Sequence, residues 1–182
     1  KTPTPNQKKI IQEMAQRASQ LVVMSELAVT LLQEVYAVPA EKVRRLYHGT
    51  PDFTSLDNSH YKKRFQVEGN QPLLTFGLLS PNKGIETVIN ALPKLVQEFP
   101  KLIYVVLGKT HPNVLKEYGE KYRTGLIALV DKLGLQEHVI FDDRFVSLEE
   151  LYAWLMAADI YITPYLNEAQ IVSGTLSYAI GA

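Results

Sequence analysis

Residues 77–84 read GLLSPNKG, and the stretch joins residue types that could grip an anion. Gly77 and Gly84 let a backbone come close to a ligand. The helical pattern that follows, IETVINALPKLV, would offer unpaired N–H groups at its start, and Lys83 adds a positive charge. That is phosphate chemistry. The stretch does not fit the P-loop, which needs a longer glycine-flanked loop and Ser or Thr after the Lys, and the dinucleotide-binding glycine fingerprint is absent too. On spacing alone, a lysine in a polar turn is most simply a solvated charge.

Further candidates stand in GKTHPN, DDRFVS and PYLNEAQIVSG. Lys109 is a second cation, and its companion His111 is either a ligand or acid or plain surface. Asp142 and Asp143 could form an acid pair or a metal site. Adjacent carboxylates alternate sides in extended chain and no further ligand lies nearby in sequence, so an ion pair of one of them with Arg144 is the simpler reading. The loop carrying Arg144 and Phe145 could still cover a nucleobase. Glu168 suits ribose hydroxyls as an acceptor, and is equally an ordinary exposed loop residue. Ser173 and Gly174 can begin a helix. His48, in YHGTPD, reads either as catalytic or as packed against a turn, and Trp154 as core.

The elements that must hold these loops follow from periodicity. In NQKKIIQEMAQRAS, Ile10, Ile11, Met14, Ala15 and Ala18 share a helical face. A short strand, LVVMS, follows. Ser25 can cap a helix bearing Leu27, Leu31, Leu32 and Val35, which Pro39 ends. VRRLY is a further strand candidate. From HGTPDF to about Gln71 the pattern weakens, and residues 51–71 are expected to be a linker.

Beyond it, LLTF, LIYVVLG, HVIF and IYITPY read as strands separated by helices, the first from about Gly84 to Phe99. Strands apolar throughout imply an α/β fold: a Rossmann-like parallel sheet with helices on both faces. In such a sheet, ligands gather at the carboxyl ends of the strands, where the candidate loops lie. Gly134 is placed to close its helix, Ser147 and Glu150 have capping-box spacing, and Pro93 should bend or end its helix.

Composition narrows the function classes. The 182 residues carry 19 basic and 19 acidic side chains, so no global field draws the chain to nucleic acid. With no cysteine, disulfides and thiolate chemistry are excluded. No apolar run is long enough for a membrane span, and a cytoplasmic location is expected. A start without Met and an end at SYAIGA, inside a running helical pattern, read as an excised piece.

Taken in order, VVMSELAVTLLQEVYAVPAEKVRRLYHGTPD, FGLLSPNKGIETVINAL, VVLGKT, LGLQEHVIFDDRFVSLEELYAWLMAADIYITPY and SGTLSYAIGA resemble the group 1 glycosyltransferases. These are retaining, family 4-like nucleotide-sugar enzymes with the two-domain GT-B fold. The resemblance covers nearly the whole chain. It implies that residues 1–50 end an acceptor domain and its interdomain segment, that 51–71 link, and that 72–182 open a truncated nucleotide-sugar domain. It makes Lys83 the lysine that contacts the donor diphosphate, with Gly77, Gly84, Gly174 and Thr175 beside it. Arg144, Phe145, Glu168, Gln170 and Ser173 are placed toward nucleoside and sugar.

The chain also departs from the family pattern. Leu78 stands where an arginine is usual after the first-strand glycine. Ser177 stands at the second of the family's paired glutamates, and Glu168 falls one residue from the first. The group Glu168, Gln170, Ser173, Gly174 and Thr175 would take over those roles.

The resemblance implies transfer of a sugar from a nucleotide-diphosphate donor to a sugar or glycan acceptor hydroxyl, with retention of configuration. It implies no cofactor and no strict need for a metal. This chain alone is expected to be inactive, and its early helices to expose apolar surface that drives self-association. Two rivals remain on the sequence: a degenerate nucleotide-sugar-like binding module, consistent with Leu78 and Ser177, and a phosphorylase or epimerase of the same architecture.

Overall fold

The computed structural model describes residues 2–53, 58–167 and 170–182. In chain order the elements are α1 (Pro5–Arg17), β1 (Leu21–Val23), α2 (Glu26–Thr30), β2 (Val43–Arg45), α3 (Asn58–Arg64) and β3 (Gln71–Phe76). They continue with α4 (Ile85–Glu98), β4 (Leu102–Leu107), α5 (Pro112–Tyr118), α6 (Lys121–Leu133), β5 (Val139–Asp142), α7 (Leu148–Ala157), β6 (Ile160–Tyr161) and α8 (Gly174–Ile180). The chain divides into two compact units, Lys1–Thr50 with Ala169–Ser177, and Pro51–Glu168 with Tyr178–Ala182.

In the smaller unit, β1 and β2 pair in parallel. Ala15, Val38 and Val43 are buried there, with Leu21, Val23, Val29, Leu32 and Tyr36 packed on them. Helix α1 starts at a capping box: Thr4 accepts from the Gln7 N–H while the Gln7 side chain accepts from the Thr4 N–H. At its other end Lys42 Nζ donates to the carbonyls of Ala15, Gln16 and Ala18 at 2.8, 3.2 and 3.0 Å. A cation among unsatisfied helix-end carbonyls complements the negative end of the helix dipole. Ser25 caps α2 by accepting from Ala28 N–H.

The larger unit is built on a four-stranded parallel sheet of order β5-β4-β3-β6. Pairing runs Gln71 with Leu102 through Phe76 with Leu107. Because alternate residues point to opposite faces, the apolar strands feed two cores. Leu73, Tyr104, Val106 and Val139 pack with Ile85, Ile89 and Leu92 of α4 and Leu126 and Val130 of α6. Leu74, Phe76, Ile103, Val105 and Leu107 pack with Trp154 and Leu155 of α7.

The stretch read as a linker differs from that expectation. Residues 54–57 lie outside the described ones, but α3 follows, and it and the turn after it join the second core through Tyr61, Phe65 and Val67. Phe65 stacks on Trp154 at 3.8 Å between ring centroids, and Lys62 pairs with Asp159 at 2.7 Å. The sequence pattern missed it because its apolar residues are few and widely spaced. Helix α4 also continues through Pro93 rather than ending there. Ile85, Val88, Ile89 and Leu92 are buried along it, and that burial offsets one lost backbone donor. Gly134, at φ 68°, closes α6 as expected.

A polar thread crosses the first core. Tyr104 Oη donates to Thr75 Oγ1 at 2.9 Å, and Thr75 Oγ1 donates to the Ile162 carbonyl at 2.7 Å, tying β4, β3 and the end of β6. Burial pushes the Tyr104 hydroxyl well above the usual phenol range, so it stays a donor. Thr75→Val should strand that hydroxyl at a cost of about 1–3 kcal/mol, and adding Tyr104→Phe should recover part of it. Urea unfolding followed by circular dichroism measures both; equal stability of the single and double variants would show that the hydroxyl does not depend on Thr75.

Candidate functional site

At the carboxyl edge of the larger unit's sheet, the chain leaves β3 and β4 through glycines that touch. Gly77 N–H donates to the Leu107 carbonyl at 2.9 Å and Gly108 N–H to the Asp142 carbonyl at 2.7 Å. Gly108 has φ 133°, and a Cβ there would strike the Gly77 carbonyl oxygen. Only glycine permits both the backbone angle and the approach. Beyond the glycines the strands stay in step: Leu79 N–H donates to the Lys109 carbonyl and His111 N–H to the Leu79 carbonyl, each at 2.8 Å.

These glycines form one wall of a cavity of about 210 Å³. Phe76, Leu78, Leu107, Val146 and Leu151 give it apolar sides, and Lys109, Arg144 and Phe145 complete its rim. Phe145 is 78% exposed, a large ring held at the mouth with a face open to a ligand.

Arg144 is committed elsewhere. Its Nε and Nη2 donate to Asp142 Oδ1 and Oδ2 at 2.9 and 2.6 Å, and Nη2 also reaches Glu150 Oε1 at 2.6 Å. The expected ion pair is therefore present, with a second carboxylate added. It also explains why the capping box at Ser147 is half made: Ser147 Oγ accepts from Glu150 N–H, but the Glu150 carboxylate turns to Arg144. Burial works against the Asp142 carboxylate, yet hydrogen bonds from the Arg144 side chain and backbone outweigh it and hold its pKa below the ordinary value. Among the described residues no cluster of three or more His, Asp or Glu gathers as a metal site would need, and Asp142 with Asp143 forms none.

Lys83 sits in the turn before α4. Its Nζ donates to Tyr165 Oη at 2.7 Å and lies 4.0 Å from the centre of that ring. The turn is clasped by the segment after β6. Leu166 N–H donates to the Asn82 carbonyl at 3.0 Å, and Gly84, at φ 62°, is so close to Pro164 that a Cβ would strike its carbonyl oxygen. Lys83 does not line the cavity walled by Gly77; the two share one loop.

The structure thus gathers Gly77, Arg144 and Phe145 around one cavity and sets Lys83 and Gly84 against Tyr165 and Pro164. Gln170, Ser173, Gly174 and Thr175 belong to the other unit, where Ser173 Oγ accepts from Leu176 N–H at 3.2 Å. His48 lies in that unit too, its Nε2 beside Gly174 and its Nδ1 2.7 Å from the Gly49 carbonyl oxygen. Glu168 lies outside the described residues. His111 uses Nδ1 to accept from Asn113 N–H at the start of α5.

Sequence reading missed Tyr165 and Arg123. Tyr165 carried no local signal, since its partner is distant in sequence. Arg123 stands three and seven residues before Leu126 and Val130, on the buried face of α6, and that misplaced charge was the available signal.

The lowered Asp142 pKa sets a pH dependence. A carboxylate with a depressed folded pKa contributes stability that is fully present above its unfolded value, 3.8, and lost as pH falls through the folded value. The advantage of the wild type over Asp142→Asn should be constant at neutral pH and shrink progressively below pH 3.8. Thermal midpoints of both proteins across acid pH measure it, and a gap independent of pH would contradict the assignment.

Residues 58–170 match the family Glycosyl transferases group 1. A Bacillus subtilis (strain 168) protein named as a glycosyltransferase, YtcC, is 26% identical over 102 residues, which are 56% of this chain and 24% of the relative. The serotype-specific mannosyltransferase WbdA of Escherichia coli is 23% identical over 84% of this chain and 18% of its own length. The chain therefore spans less than a quarter of either relative. Among solved structures, Anabaena Alr3699/HepE in complex with UDP superposes with a TM-score of 0.72 at 21% identity, over 96% of this chain and 46% of that one. At that identity the likeness shows the fold, that of the GT-B glycosyltransferases. With more than half of its length matching the family, this chain belongs to the group 1 glycosyltransferases.

Proposed function

We propose that the intact protein transfers a sugar from a nucleotide-diphosphate donor to an acceptor hydroxyl with retention of configuration, and that residues 51–168 supply much of its donor half. The observation that carries this reading is the cavity at the carboxyl edge of the sheet. Two touching backbone glycines wall it, Phe145 stands exposed at its mouth, and Lys83 lies in the loop that continues from its wall. Support comes from family membership and from the fold shared with HepE, which was solved with UDP.

In this reading the nucleoside lies along the apolar cavity and its base meets the Phe145 ring. The diphosphate draws Lys83 away from the Tyr165 hydroxyl. Exchanging a neutral acceptor for an anion strengthens the bond, and the same charge then stabilises the leaving diphosphate as the glycosidic bond of the donor breaks. Arg144 is already neutralised by two carboxylates and serves to hold the Phe145 loop. That the reaction has no strict requirement for a metal is part of the proposal and rests on the family resemblance alone. The chain 1–182 spans less than a quarter of its curated relatives, and in this reading it gives no turnover by itself.

Calorimetric titration of UDP, GDP and ADP into the full-length protein tests this. One nucleotide should bind selectively, and Lys83→Ala should weaken it by about 10- to 100-fold, the worth of one charge-assisted bond. A folded full-length protein that binds none of the three would overturn the reading, and an inverted anomer in the product would overturn retention.

A further inference from the structure

Arg123 is a cation inside the core, and nothing in donor binding as set out above uses it. It is 7% exposed, on the face of α6 that also buries Leu126 and Val130. Its Nη2 donates to the Gly108 carbonyl, its Nε lies 3.6 Å from Glu120 Oε2, and its buried Nη1 makes no hydrogen bond. The Glu120 carboxylate also accepts from Thr110 Oγ1 at 2.5 Å. Burying a guanidinium with one of its nitrogens unsatisfied is costly, and an apolar side chain would fill this place in the core at less expense. The arrangement therefore calls for a role beyond packing.

The atom that Arg123 holds indicates the role. Gly108 is fixed on one side by its N–H to the Asp142 carbonyl and on another by its contact with Gly77. Arg123 fixes the remaining backbone group, the carbonyl. Gly77 and Gly108 are the backbone wall of the cavity, and glycines have no side chain to restrict their own dihedrals. Arg123 also acts on the Asp142 carboxylate, helping to keep it ionised for Arg144, whose loop carries Phe145.

We propose that Arg123, anchored by Glu120, is a positioning residue of the donor site: it locks the Gly108 peptide and so preorganises the Gly77–Gly108 wall against which the nucleotide lies. The proposal rests on the donor-binding reading. A wall held before the ligand arrives spares the ordering cost on binding, and a wall loosened by an ångström loses contacts along its length.

The test uses the full-length protein and whichever of UDP, GDP and ADP the wild type binds. Arg123→Gln should weaken that nucleotide by about tenfold, while Arg123→Lys restores part of the affinity. Glu120 is 48% exposed, so Glu120→Gln keeps the fold while loosening the anchor, and should cost about threefold. In turnover, donor KM should rise more than kcat falls. A purely structural Arg123 would instead lower the thermal midpoint and leave the dissociation constant of the folded protein unchanged. That result overturns the proposal; if Arg123→Gln does not fold, unchanged affinity in Glu120→Gln does so. Wild type binding no nucleotide overturns the donor reading and this proposal with it, whereas wild type and variants binding equally overturns this proposal alone.

Discussion

A parallel sheet whose strands are apolar on both faces cannot leave either face in water, and the larger unit follows from that constraint. Residues 102–107 of β4 are all buried, with Tyr104, Val105 and Val106 fully so. Helices must then cover both sides, which places α4 and α6 on one core and α3 and α7 on the other. With both faces closed, the sheet's loop-bearing ends remain for chemistry. At the carboxyl end the strands run out into glycines close enough to touch, and the cavity forms against that contact.

Charge at this edge is distributed by what each cation already holds. Arg144 is bound by two carboxylates and Arg123 by a carbonyl and a carboxylate, so an anionic ligand would have to compete with partners of its own kind. Lys83 donates to a neutral phenol hydroxyl and lies near the same ring, interactions weaker than a bond to phosphate. The absence of an arginine at position 78 makes the distinction consequential. Leu78 gives the cavity an apolar wall, so the positive charge in this loop rests on Lys83.

Local chemistry was readable where neighbours in sequence decide it. Ser25, Ser147 and Gly134 act as caps because a cap needs only a turn of chain, and the pairing of Arg144 with Asp142 spans two residues. The same local view failed at Glu150, whose spacing from Ser147 fits a capping box but whose carboxylate is taken by Arg144. It failed again over residues 51–71, where α3 is stabilised by Trp154 and Asp159 from far along the chain.

The sequence by itself determined the alternation of strand and helix, the parallel sheet, and the loops in which chemistry could sit, because periodicity and turn residues are local and the apolar period states which faces are buried. Only the tertiary structure decided which groups in those loops meet. The contact of Gly77 with Gly108, the hydrogen bond from Lys83 to Tyr165, and the hold of Arg123 on Gly108 each join residues separated in sequence by one or more intervening elements. Those meetings depend on strand order and register, which the β5-β4-β3-β6 sheet fixes and which no local pattern encodes.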